Sequence, residues 1–191
     1  MENTQFPSAA EVEQELKREH YKRRYRQVLK STIFALLTAS AAAVLVATLW
    51  LPVLQIYGQS MTPTLSDGEI VFSVKSSQLE QGDVVAFYYN NKILVKRVIA
   101  VSGDWVDITP EGNVYVNSEL LDEPYLEEKA LGDCNIELPY QVPESRIFVM
   151  GDHRSVSIDS RNTAVGCVAE EQIVGKLVFR VWPLDAFTQL S

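Results

Sequence analysis

At 191 residues the chain has room for one domain and a short appendage, and its formal charge of −8 at pH 7 is unevenly spread. Residues 1–30 hold seven Lys/Arg against five Glu, so everything after them sums to −10. A body that acidic repels a phosphate backbone, which argues against nucleic acid as a partner. Two histidines and two cysteines at spacings unlike any metal-ligand pattern argue against a metal site, and no cofactor is expected.

In chain order, the first feature is the basic cluster Lys17, Arg18, Lys22, Arg23, Arg24, Arg26 and Lys30, after which no charged residue occurs from Ser31 to Ser66. The apolar run at 33–54 is long enough as a helix to cross ~30 Å of hydrocarbon. Trp50 and Tyr57 near its far end suit an interfacial belt, and Pro52 falls where a helix stops. A buried core helix would be shorter and carry a polar stripe. A cleavable secretory signal has a short basic start and an apolar region of about 7–15 residues. The expectation is one uncleaved transmembrane helix over residues 31–57 in a lipid bilayer. The Lys/Arg excess puts residues 1–30 on the cytoplasmic side and the domain at 58–191 outside the cell membrane.

Beyond residue 58 the pattern becomes strand-like. Residues 69–74 and 83–89 are β-branched and aromatic, with Gln81-Gly82 between them. Asn90-Asn91 is a two-residue turn signal before a third strand at 92–101, which predicts a hairpin. A second hairpin is predicted from 105–109 and 114–116 around Pro110-Glu111-Gly112-Asn113, and further strands at 146–150 and 173–182. The polar stretch at 118–145 reads as an excursion with little regular structure. The fold class is therefore mainly β, antiparallel, preceded by one membrane helix. An oxidising location would allow Cys134 and Cys167 to pair, but Cys167 reads equally as a small buried side chain.

Three stretches carry possible chemistry. In Gly58-Gln59-Ser60-Met61-Thr62-Pro63-Thr64-Leu65 the proline biases Thr62 away from helix, so Ser60 sits in a stiff turn just past the membrane run. Turn formation alone explains such a serine; a nucleophilic one needs a base. His20 lies on the wrong side of the membrane under this topology, leaving His153 or a lysine. Of Lys75, Lys92, Lys96, Lys129 and Lys176, Lys96 shares a strand face with Leu94 and Val98, where apolar surroundings would lower its pKa. The blander reading is a lysine snorkelling from a sheet edge. The third stretch, Gly151-Asp152-His153-Arg154-Ser155-Val156-Ser157-Ile158-Asp159-Ser160-Arg161, follows a buried-type strand and is dense in paired charge and hydroxyls. It reads either as a solvated turn or as a rigid hydrogen-bonded loop.

Together these stretches resemble the bacterial type I signal peptidases, Ser-Lys proteases of the inner membrane. Gly58–Leu65 resembles the family's nucleophile box and Gln81-Gly82-Asp83-Val84-Val85-Ala86-Phe87 its Gly-Asp-Val-Val strand. The stretch from Lys96 to Asp104 resembles the base box, and Gly151 to Arg161 the Gly-Asp-Asn-Arg-x-x-Ser-x-Asp-Ser-Arg box. The resemblance implies a signal-peptidase-like antiparallel β catalytic domain that removes signal peptides from exported preproteins. It implies Ser60 as nucleophile, Lys96 as general base and Ser157 as the residue orienting the Lys96 amine. The Ser60 backbone N–H would serve the oxyanion; Gly58 stands where some members place a second hydroxyl donor. Asp159 and Arg161 would form a supporting ion pair, with Asp152 in a similar role. Ile56, Met61, Leu65, Leu94 and Val95 fall at pocket positions, with substrate laid as an added strand along 55–58 and 93–95. Ala100 and Ser102 replace the usual Gly and Pro of the base box, and His153 replaces the usual Asn.

Two rival classes predict different things. A self-cleaving Ser-Lys repressor would carry a DNA-binding helical module at its N-terminus instead of an anchor. A non-catalytic assembly module on the same fold would be free to lose Ser60, Lys96 or Ser157.

Overall fold

The computed structural model describes residues 9–50, 52–75 and 78–190. They fall into two units divided at Trp50, a helix and a β body. The expected cytoplasmic residues 1–8 lie outside the described residues. Helix α1 spans Ala9–Trp50 without interruption, so the basic cluster and the apolar run are one element. No Gly or Pro falls between these ends, and Ala, Leu, Glu, Lys and Arg are strong helix formers. Pairs such as Glu13–Lys17 and Glu19–Lys22 add one-turn contacts on its surface. The stretch Val12–Val46 is long and apolar enough to cross a membrane.

The helix ends two residues before Pro52, whose ring forbids the preceding residue an easy helical conformation. Strand β1, Val53–Gln55, follows at once, so the apolar residues read as the tail of a helix running to 57 belong to the β body. Next come β2 (Ile70–Val74), β3 (Val84–Tyr89), β4 (Lys92–Ala100), β5 (Trp105–Ile108), β6 (Val114–Val116) and β7 (Glu119–Leu120). The last five are β8 (Tyr140–Gln141), β9 (Arg146–Met150), β10 (Val168–Ala169), β11 (Ile173–Trp182) and β12 (Thr188–Gln189). The larger sheet runs β1-β2-β11-β3-β4-β9-β10 with β12 on β11, and the smaller β7-β6-β5-β8. The described pairings are antiparallel.

Turn chemistry fixes the central hairpin. Asn90 and Asn91 both adopt positive φ (44° and 61°), as a tight two-residue hairpin turn requires, and Tyr89 pairs with Lys92 across it. Both faces of β3 are buried. Val84 and Ala86 join Ile56, Met61, Leu65, Val71 and Leu177 in one core cluster; Val85 and Phe87 join Val98, Ile147 and Val149 in another. A third cluster, with Val106, Val114, Phe148 and Met150, joins residues of both sheets.

The excursion at 118–145 holds only β7 and β8, two residues each, yet it is packed down. A side chain at Gly112 would lie 2.4 Å from the Ala130 backbone, so only glycine admits that approach. Cys134 and Cys167 are both free thiols. Burial pushes the Cys167 thiol up to about 11, the behaviour of a small core residue.

Candidate active site

Ser60 lies in the loop between β1 and β2. Its neck is closed by Ile56 N–H to Glu69 O (2.8 Å) and Gly68 N–H to Ile56 O (2.9 Å). Arg180 on β11 pairs with the Glu69 carboxylate at 3.0 Å and donates to Thr64 O, so the loop is pinned at its base as well. Within it, the Thr62 and Leu65 N–H groups bond Gln59 O and Met61 O, folding the chain into a compact turn that leaves Ser60 half-buried.

Lys96 sits mid-strand on β4, opposite Val85, and shares its face with Leu94 and Val98 as the period of two predicts. It is 3% exposed, and its Nζ donates to Ser60 Oγ at 2.6 Å. No carboxylate among the described residues lies within ion-pairing distance of it. Burial therefore dominates and lowers its pKa from 10.5 to about 8. The carboxylates of Asp159 and Asp152 pull it back upward, and Arg161 pushes it further down.

The loop after β9 supplies the third side of the site, and it is rigid. Asp159 takes a bidentate bond from Arg161 (both contacts 2.8 Å) and accepts from Gly151 N–H (2.9 Å). Arg161 also donates to Leu131 O and Arg154 O. Asp152 is gripped by Arg97 through two bonds of 2.9 and 2.7 Å and accepts a further one from the Thr64 hydroxyl. The Arg97 guanidinium lies 3.9 Å over the Tyr125 ring, and Arg154 pairs with Glu123 out of contact with water. Gly151 is a spacer: a Cβ there would lie 2.2 Å from Ser157 Oγ and 2.5 Å from Ser60 O.

Several expectations meet this geometry differently. Ser60 and Lys96 are brought together, and the Asp159–Arg161 pair is present. Ser157 Oγ is buried beside Gly151 but has no hydrogen-bond partner; the expected bond to Lys96 is not made, because Nζ is turned to Ser60 Oγ. Gly58 N–H is already committed to Asp67 Oδ1 at 2.7 Å, whereas Ser60 N–H has no partner among the described residues. The His153 ring makes no bond to Ser60 Oγ among the described residues. Its Nδ1 lies 3.0 Å from Thr62 Oγ1, and its N–H bonds Ser60 O, which removes it as the base. Ile56, Met61, Leu94 and Val95 line a cleft of about 560 Å³ that also contains Ser60 and Lys96. Leu65 is fully buried in the core cluster that also holds Ile56 and Met61 and is not among the residues lining that cleft. A second cleft of equal size, around Lys75, Arg146 and Glu170, contains neither Ser60 nor Lys96.

Sequence reasoning missed Arg97, Glu123 and Tyr125. Arg97 had a signal, since it follows Lys96 inside the same motif. Glu123 and Tyr125 had none, because a carboxylate in a polar excursion looks like surface until its partner is seen.

A buried lysine with no carboxylate in ion-pairing distance, set against a serine hydroxyl beside an apolar cleft on an antiparallel β scaffold, is an arrangement that serine peptidase chemistry can use. Residues 28–182 match the family described as signal peptidase, peptidase S26. The chain belongs to that family, and family membership makes it a serine peptidase that cleaves signal peptides from preproteins. It is similar to signal peptidase IB of Staphylococcus aureus (strain Mu50), 42% identical over 152 residues, covering 69% of this chain and 78% of that protein. It is also similar to signal peptidase I of Bacillus amyloliquefaciens, 36% identical over 169 residues, covering 81% and 86%. A crystal structure of a signal peptidase I from Enterococcus faecalis aligns with a TM-score of 0.44 at 26% identity, covering 53% of this chain and 97% of that one.

Proposed function

We propose that Ser60 is the nucleophile and Lys96 its general base. The observation that carries this is the 2.6 Å Lys96–Ser60 contact at an amine whose pKa has fallen to about 8. The neutral amine takes the Ser60 proton as Oγ attacks the carbonyl of the residue before the cut. The Ser60 N–H donates to the oxyanion, and the Lys96 ammonium returns the proton to the leaving amine. A water deprotonated by Lys96 then hydrolyses the ester. Gly58 is not assigned as a second donor, since its N–H is occupied. Ser157 is assigned to the amine's surroundings: its free hydroxyl accepts from Lys96 once Nζ swings away from Ser60 carrying the proton.

Substrate lies extended between two free edges. Among the described residues β1 pairs only with β2, and residues 92–96 of β4 pair only with β3, because β9 begins its pairing at Arg97. Backbone bonds to 55–58 and 93–95 supply affinity, and the close-packed walls of Ile56, Met61, Leu94 and Val95 supply selectivity for alanine one and three residues before the cut. The anchor is α1 in the lipid bilayer of the cell membrane, with the basic segment cytoplasmic and the β body outside, where exported preproteins emerge.

Incubation of the purified chain with preproteins beside its Ser60→Ala variant tests the dyad; cleavage by that variant refutes it. A peptide series varied at the two alanine positions tests the pocket, where efficient cutting after leucine or lysine is the overturning result. Protease added outside intact cells reaches residues 119–132 and spares residues 1–30 if the orientation is right.

A further inference from the structure

We propose that His153 is a positioning residue for the nucleophile, clamping the turn that carries Ser60 through a bond from its Nδ1–H to the Thr62 hydroxyl. The inference rests on Ser60 being the nucleophile.

The proton count on Thr62 carries the argument. A threonine hydroxyl has one proton and two lone pairs. Thr62 Oγ1 donates that proton to Gln59 O at 2.9 Å, and it lies 3.0 Å from His153 Nδ1. With the proton spent on Gln59, the second contact is a hydrogen bond only if Nδ1 carries the hydrogen. This selects one of the two neutral ring tautomers and leaves Nε2 with a lone pair. The same His153 also donates its backbone N–H to Ser60 O at 3.1 Å. One residue thus holds the nucleophile's own carbonyl and, two residues further on, the hydroxyl that folds the turn back onto Gln59. His153 belongs to the loop that carries Asp152 and Ser157, so the clamp fixes the nucleophile turn against the rigid ionic loop rather than against solvent.

Neither Thr62 nor His153 lines the substrate cleft. Loss of the clamp therefore acts on the placement of Ser60 Oγ against Lys96 Nζ, and displacements of ~1 Å in such constellations cost up to about a hundredfold in rate. Asparagine carries its amide nitrogen the same number of bonds from Cα as the histidine Nδ1, so it reproduces the donor; glutamine places it one bond too far.

The test uses the full chain in detergent micelles. His153→Ala and His153→Gln should lose roughly tenfold in kcat with KM within about twofold, while His153→Asn stays within about twofold of the parent. Thr62→Val should cost a similar factor in the parent and clearly less in the His153→Ala background, as coupled partners require. Independently of activity, ¹⁵N-histidine labelling reads the tautomer, with His20→Gln identifying the His153 signals. In the neutral ring the proton should sit on Nδ1. A neutral ring protonated on Nε2, full kcat in His153→Ala, failure of His153→Asn to restore it, or additive costs for the two sites would each overturn the clamp. Cleavage by Ser60→Ala would instead overturn the dyad; a dead Ser60→Ala beside a fully active His153→Ala sinks the clamp alone. Should His153→Ala fail to fold, the tautomer of the parent protein still decides.

Discussion

Lys96 and Arg97 are consecutive on β4, point to opposite faces of the sheet and are buried alike, at 3% and 4% exposure. Their surroundings differ. On the Arg97 face, Asp152 meets the guanidinium with two short bonds, Gly82 O and Thr64 Oγ1 take further protons, and Tyr125 lies across its plane. On the Lys96 face the nearest polar partner is a neutral hydroxyl. Burial with a bidentate partner keeps a charge; burial without one makes the proton easier to remove. One strand thus holds a permanent cation as scaffold and, a residue earlier, a cation made removable. The choice of arginine at one position and lysine at the other follows, since a guanidinium stays protonated in any such setting.

The largest effect should come from erasing the removable charge. Lys96→Met and Lys96→Arg should each lower preprotein cleavage at least about a thousandfold, the arginine because it cannot accept a proton. Single-turnover assays measure this, and near-normal activity in Lys96→Arg would collapse the contrast between the two faces. Next, breaking the permanent pair by Arg97→Met should cost about 3–5 kcal/mol of stability by stranding Asp152, whereas Arg97→Met with Asp152→Leu should recover most of it. Urea unfolding followed by tryptophan fluorescence distinguishes these. Lys96→Met should move stability the other way, by up to roughly 3 kcal/mol, because a fall from 10.5 to about 8 penalises the folded protonated state. The sign is specific: the penalty is complete below pH 8, shrinks between 8 and 10.5 as the unfolded chain alone holds the proton, and vanishes above. The gain should therefore disappear at high pH. Cleavage by the parent protein should instead rise with unit slope up to about pH 8 and stay level above it, across the range where the stability penalty fades. Smallest of all, Ser157→Ala should slow turnover by roughly tenfold with little loss of stability, since its buried hydroxyl has no bond to lose.

The chain's local grammar carried much of this outcome. β2, β3, β4, β9 and β11 begin and end within a residue of the predicted segments, because alternating β-branched residues and an Asn-Asn turn act through neighbours. β1 was hidden for a physical reason: Val53, Leu54 and Gln55 continue a membrane-like run, and only pairing with β2 seventeen residues on reveals them as sheet. Strands of two residues, such as β8 and β10, owe their existence to a partner strand rather than to their own pattern. At the candidate site, the pairing of Ser60 with Lys96 was legible through motif and period. The Arg154–Glu123 pair spans 31 residues and was not, since long-range pairing of charges leaves no trace in local composition.

The two open edges beside the cleft have one more consequence, which concerns how the molecule avoids its own kind. An unpaired strand edge is a template for any extended chain, including a second copy of the same protein, and long flat edges seed aggregation. Here β1 offers three residues and the open part of β4 five, beginning at the exposed Lys92. On the proposed binding mode, edges this short would hold a passing chain through a handful of backbone bonds, enough to register a cut and too few to retain it. The exposed cationic side chain at the start of β4 puts a charge on the edge, which disfavours the docking of another flat edge against it. A protein built to grasp unfolded chains one after another is thereby kept from becoming the next chain in a stack.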